Sequence, residues 1–109
     1  MTVRELLSLD GFKALNVSEP EREIKGAYIG DLLSWVMGRA SCDNAWITIM
    51  TNVNILAVAS LTDVACIILA EGTELDGELI ATAKEKGINV ISSAFPSYGV
   101  AKALAALGV

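Results

Sequence analysis

The run from Ala45 to Gly72, AWITIMTNVNILAVASLTDVACIILAEG, constrains this chain more than any other part of it. Asp63 and Glu71 are its only charged residues. Its texture changes along its length. β-Branched Ile47, Thr48 and Ile49 give way to Leu56, Ala57, Ala59 and Leu61, and then to the apolar VACIIL. That order predicts strand, helix, strand, with two buried parallel strands joined by a packed crossover. The competing assignment is a membrane span, because Ala45 to Thr62 carries no charge and about 20 mostly apolar residues suffice to cross a bilayer. Thr48, Thr51, Asn52, Asn54, Ser60 and Thr62 argue against it, as does the lack of a Lys or Arg close to the C-terminal side.

The flanking segments extend the alternation. Thr2-Val3-Arg4-Glu5 fits a capping box ahead of Leu6, Leu7 and Leu9, and Asp10-Gly11 ends that short helix. Phe12 to Val17 reads as an edge strand, and Ser18 to Glu23 as a polar turn around Pro20. Within it, Arg22 among Glu19, Glu21 and Glu23 reads as a solvated mixed-charge loop. The alternative is that Arg22 fixes the loop by pairing with a buried carboxylate. Ile24 to Ile29 predicts the next strand. Gly30-Asp31 opens a helix to about Met37, with Asp31 as cap or first-turn acid and Gly38 at its end. Trp46 to Met50 and Val64 to Ala70 are the central strands. Between them Ile55, Val58, Ala59 and Thr62 form a packed helical stripe, entered through the cap-type residues Thr51, Asn52 and Asn54. Asp76 caps a helix to Lys86 that stops at Gly87. Ile88 to Ile91 predicts a strand ended by Ser92-Ser93, and Pro96 suits the first turn of a last helix. Strands alternating with helices through short links imply an α/β sandwich with a mainly parallel sheet, in two or three layers.

A chain of 109 residues suits one domain, taken here as residues 1–109. Hydrophobic residues make up 53% of it, high for so small a chain, and this points to a further buried face and hence an oligomer, which with the missing catalytic residues and the family resemblance given below is expected to be a homodimer. The net charge of −5 and the lack of a basic cluster make nucleic acid and anionic membrane surfaces poor partners. No secretory h-region occurs near the start, so a cytoplasmic location is expected. There is no His, which excludes Ser-His-Asp and Cys-His mechanisms within the chain and a His-ligated zinc site. Cys66 in VACIIL reads as a small core residue, and Cys42 in SCDN as exposed, without an activating His. No catalytic residues, metal ligands or cofactor are expected.

A ligand of a parallel α/β sheet binds outside the carboxyl ends of its strands. The residues predicted there are Asp31, Thr51, Asn52, Asn54, Glu71, Gly72, Ser92 and Ser93. Hydroxyls, amides and helix N-termini make that rim a candidate for a small phosphate or nucleotide. The same residue types also serve simply as helix caps and turns. No GxGxxG or GxxxxGK[ST] occurs, so neither dinucleotide nor P-loop recognition is supported. Asp31 and Glu71 are a conceivable carboxylate pair.

Four segments, PEREIKGAYIGDLL (20–33), WITIMTNVNILAVASLTDVACIILAEG (46–72), ELIATAKEKGINVIS (78–92) and the Pro-led last helix, together resemble the DRTGG domain. That family is similar to the N-terminal domain of HPr kinase/phosphorylase. It also occurs in some phosphate acetyltransferases and beside CBS domains in pyrophosphatases. The resemblance implies a non-catalytic regulatory, ligand-sensing or dimerising module that contacts a partner protein or a small molecule. Where the family has Gly-Asp-Arg after the first central strand, this chain has Met50-Thr51-Asn52. Where it has Thr-Gly-Gly after the second, this chain has Ala70-Glu71-Gly72, and only Gly72 survives. The lost Arg would be the natural anion partner, so the resemblance implies a weaker taste for anions here. Arg22 matches the family's Asp-Arg-Glu-like turn.

Overall fold

The computed structural model describes residues 1–109. Ten elements follow in order: α1 (Val3–Leu7), β1 (Phe12–Asn16), β2 (Gly26–Ile29), α2 (Leu33–Arg39), β3 (Asn44–Thr48), α3 (Asn54–Thr62), β4 (Cys66–Leu69), α4 (Gly77–Lys86), β5 (Val90–Ser93) and α5 (Ser97–Ala106). They build one mixed, mostly parallel sheet in the order β1-β5-β4-β3-β2. β2, β3, β4 and β5 run parallel, and β1 closes one end antiparallel to β5. β2 is the other edge and pairs with β3 alone.

Each central strand is buried on both faces, which explains its nearly unbroken apolar sequence. Trp46, Ile67, Leu69 and Val90 point to one face and pack with Val36 of α2, Ile55, Leu56 and Ala59 of α3, and Ala83 of α4. Ala45, Ile47, Cys66, Ile68 and Ile91 point to the other and pack with Val3 and Leu6 of α1 and Val100 and Leu104 of α5. Five helices thus share two faces unequally. Three cover the first, while the second has only the short α1 and α5. Ala27 and Ile29 pair in register with Ala45 and Ile47 and so share that second face, yet both are exposed.

Several local expectations are corrected. The capping box at Thr2 and Glu5 is formed, but Ile24 lies outside the second strand, where its N–H donates to the Met1 carbonyl. The third strand starts and ends two residues earlier than expected, because the Ile49 N–H leaves the ladder for Asp31. Asp31 caps nothing. α2 starts from Leu32 without a side-chain cap and runs through Gly38 to Arg39. Asn54 is the first residue of α3 and Val53 its N-cap. Ser92 and Ser93 lie within β5, paired with Leu69 and with β1, where they were expected to end the strand. Pro96 is the N-cap of α5 rather than a first-turn residue. No helix is long and apolar enough to cross a membrane.

Candidate functional site

The carboxyl ends of β2, β3, β4 and β5 do lie together, since these four strands are parallel neighbours. The predicted residues follow those ends, but most of their polar groups are satisfied by one another. The Asp31 carboxylate accepts from Thr48 Oγ1 at 2.7 Å and from the Ile49 N–H at 3.0 Å, tying the end of β2 to the end of β3. Asn52 Oδ1 accepts from the Asn54 N–H at 3.0 Å and steadies the start of α3. Thr51 is exposed and makes no side-chain hydrogen bond. Glu71 and Gly72 both take positive φ, 62° and 71°. Their N–H groups donate to the carbonyls of Phe95 and Ser93 at 2.8 and 2.7 Å, so this turn offers no free amide nest to an anion. Ser92 Oγ donates to the Thr73 carbonyl at 2.8 Å, and Ser93 Oγ accepts from the Phe95 N–H at 3.2 Å. Asp31 and Glu71 leave strands separated by β3, two strand spacings or roughly 10 Å, too far for two carboxylates to share a proton.

What remains open on this rim is a depression of about 300 Å³ between the start of β1 and the turn after β4. Gly11, Phe12, Lys13, Gly72, Glu74 and Ser92 line it. Of the predicted residues only Gly72 and Ser92 reach it. The one cation there, Lys13, pairs with Glu74 at 3.2 Å. Gly11 is required at this corner: its φ is +91° and the edge of the Phe95 ring fills the place of a side chain. Removing the Asp31 carboxylate (Asp31→Ala) would leave the Thr48 hydroxyl and the Ile49 N–H without their partner. It is expected to lower stability by about 1–2 kcal/mol, read by urea denaturation.

The opposite rim, at the amino ends of the parallel strands, holds the more extensive polar network. Asn89 is 3% exposed at the entry to β5. Its Oδ1 accepts from the N–H groups of Ser18 and Glu19, and its Nδ2 donates to the carbonyls of Glu19 and Ala65. Arg22 donates through Nε and Nη2 to Asp43 Oδ1 at 3.1 and 3.0 Å, and through Nη2 to the Asp63 carbonyl and carboxylate at 2.6 and 2.9 Å. Both aspartates hold left-handed backbone, φ 66° and 55°, at turns that lead into β3 and β4. Arg22 therefore does fix its loop by pairing, although Asp43 is only part-buried and Asp63 is exposed. Cys42 Sγ donates to Asp63 Oδ2 at 3.3 Å. That hydrogen bond raises the Cys42 thiol pKa and leaves it a poorer nucleophile, while burial pushes Cys66 up to about 12.

The hydrogen bond from Arg22, with help from Cys42, holds the Asp63 carboxyl below its ordinary 3.8. A carboxylate depressed by folding adds stability above its ordinary value and loses it as pH falls through the folded one. Glu5 acts in the same sense through the Thr2 N–H. Stability is therefore expected to fall as pH drops below about 4. In Arg22→Ala the slope should be shallower but not zero, measured by denaturant titration at successive pH values. Asp63 is largely exposed, so its share should shrink with added salt.

No three or more His, Cys, Asp or Glu side chains gather closely enough to hold a metal ion. The residues that sequence reasoning missed are Asn89, Asp43 and Asp63. An Asn in GINVIS carries no pattern that separates a keystone from a turn residue.

The architecture is thus that of a small α/β domain, with a mixed five-stranded sheet and two unequal helical layers. The DRTGG domain model matches residues 31–107, and the chain belongs to that family. Among solved structures it is similar to the CBS and DRTGG domains of the regulatory region of Clostridium perfringens pyrophosphatase, complexed with the activator diadenosine tetraphosphate. The TM-score is 0.67 with 20% identity over 92% of this chain. The chain spans 43% of that neighbour's length. Comparison with curated proteins gives no match.

Proposed function

We propose that this chain is a non-catalytic regulatory module that works by association, first of all with a second copy of itself. The observation that supports the reading is where its exposed large apolar side chains fall. Five of the ten, Ile29, Leu32, Trp35, Ile49 and Val53, fall from the end of β2 into α2 or just after β3, each about half exposed or more, while the most exposed two, Leu61 and Tyr98, lie on α3 and α5. Scattered single exposures need no explanation, but a concentration beside an unpaired strand does. Most of the rim polar groups, by contrast, are engaged within the chain. Light scattering at micromolar concentration is expected to give twice the 11.5 kDa of one chain. A single-chain mass throughout would overturn the reading.

A second reading is small-molecule sensing at the depression beside Gly72 and Ser92. It is favoured by the kinship to a region of a pyrophosphatase that was solved with a nucleotide activator. Thermal-shift assays with diadenosine tetraphosphate, mononucleotides and inorganic phosphate test it. Saturation at 100 times the dissociation constant would add about 2.7 kcal/mol of stability. Shifts with none of these would leave association alone.

A further inference from the structure

We infer that the second copy docks on the free edge of β2, antiparallel across a two-fold axis at Ala27, so that the two sheets become one; this rests on the association proposed above. In the parallel ladder the Lys25 N–H donates to the Asp43 carbonyl. By the alternation of a ladder, residues 25, 27 and 29 turn their backbone groups to β3, and Gly26 and Tyr28 turn theirs outward. Two outward residues placed symmetrically about Ala27 are self-complementary. Gly26 of one copy exchanges both backbone hydrogen bonds with Tyr28 of the other, and Tyr28 with Gly26, leaving no outward group of the strand unpaired. The Gly30 carbonyl could not extend the ladder, because it accepts from Trp46 Nε1 at 2.9 Å. The Gly30 N–H is turned inward to the Ile47 carbonyl at 3.1 Å and the Ile24 N–H donates to the Met1 carbonyl at 2.7 Å, so registers centred on Tyr28 or on Gly26 would each lose hydrogen bonds.

The charges agree with the antiparallel sense. Lys25, 68% exposed at its side chain and 3.6 Å from Asp43 Oδ2 of its own chain, precedes the strand, and Asp31 follows it. Asp31 makes its contacts through Oδ1, which leaves Oδ2 open. Antiparallel pairing carries each Lys25 toward the other copy's Asp31, whereas a parallel pairing would set like charges side by side. The side chains agree as well. Ala27 is small where the two strands must approach at the axis. Ile29 lies on the same uncovered face and meets the aliphatic stem of the opposing Lys25. The edge strand is short, but it ends in exposed Ile29 and carries no proline or charged residue within it to oppose strand addition.

The register sets the test. At the axis Ala27 faces Ala27 of the other copy as a non-hydrogen-bonded pair, with Cα atoms about 4.5 Å apart, which a disulfide can bridge. Ile29 to Ile29 is four residues out of register, roughly 14 Å. In a Cys42→Ser background, Ala27→Cys is expected to oxidise largely to covalent dimer and Ile29→Cys to stay uncrosslinked. Ile29→Lys should weaken association at least tenfold, whereas Leu61→Lys, on exposed α3 surface, should leave it unchanged. Light scattering on the unmodified chain separates the failures. A dimer whose Ala27→Cys variant does not crosslink, or whose Ile29→Cys variant crosslinks equally, overturns the edge and register but keeps the association. A monomer overturns both.

Discussion

Replacing Asn89 by Ala is expected to destabilise the domain more than any other polar substitution, by about 3 kcal/mol. One side chain there satisfies four backbone groups from two distant segments: the N–H groups of Ser18 and Glu19, the carbonyl of Glu19, and the carbonyl of Ala65. Ala65 leads directly into β4, so the loss reaches the central sheet. Each buried group left without a partner costs about 1–3 kcal/mol, though water can rescue those nearer the surface. For a domain of this size the melting temperature should fall by roughly 15 °C. Asn89→Asp keeps the two acceptor contacts but sets a buried carboxylate oxygen against the carbonyls of Glu19 and Ala65, so it should be no more stable than Ala. Calorimetry of the three proteins checks the order. An Asn89→Ala protein that melts within a few degrees of wild type would show that the 18–19 loop is not held from this side chain.

The second large effect is expected at Arg22. Its guanidinium spans Asp43 and Asp63, which occupy left-handed turns ahead of β3 and β4. Arg22→Ala leaves two carboxylates facing each other and a carbonyl unpaired. The network is only part-buried, which holds the expected loss to about 2 kcal/mol, below the cost of breaking a fully buried pair. Arg22→Lys retains a charge but cannot present the planar fork to both aspartates, so about half of the loss should remain. A denaturant titration of both variants distinguishes a geometric role from a merely electrostatic one. Equal stability of Arg22→Lys and wild type would favour the latter.

These two residues also mark how far the sequence could be read. The β-α-β core from Ala45 to Gly72 was legible because burial on both faces of a parallel strand leaves a nearly unbroken apolar run. The capping box at Thr2, the Asp76 cap and the Gly87 stop were legible because each follows from the unsatisfied groups of a helix end. The C-terminal rim was located correctly as a place. Its state was not legible, since the same Asp, Asn and Ser side chains that suit a ligand also suit one another. Asp31 looked like a helix cap because it precedes α2; in three dimensions it lies nearer the end of β3, and Thr48 and Ile49 take it. Ser92 and Ser93 looked like a strand end because serine seldom sits in a core. Here their hydroxyls reach Thr73 and Phe95, which makes burial tolerable. Asn89, Asp43 and Asp63 were beyond reach because partners 21 to 71 residues apart leave no local spacing to read.

Two features bear on function together. Most polar groups of the rim bond within the chain around one open depression, and the edge strand β2 is unpaired on its outer side. The family to which the chain belongs supplies regulatory modules, and on this account the module acts by joining sheets. Amide hydrogen exchange of Gly26 and Tyr28, followed residue by residue across a dilution series, tests that most directly. Their N–H groups should exchange slowly at high concentration and quickly once the copies separate, while β4 stays protected throughout. Fast exchange at both positions at every concentration would contradict the account.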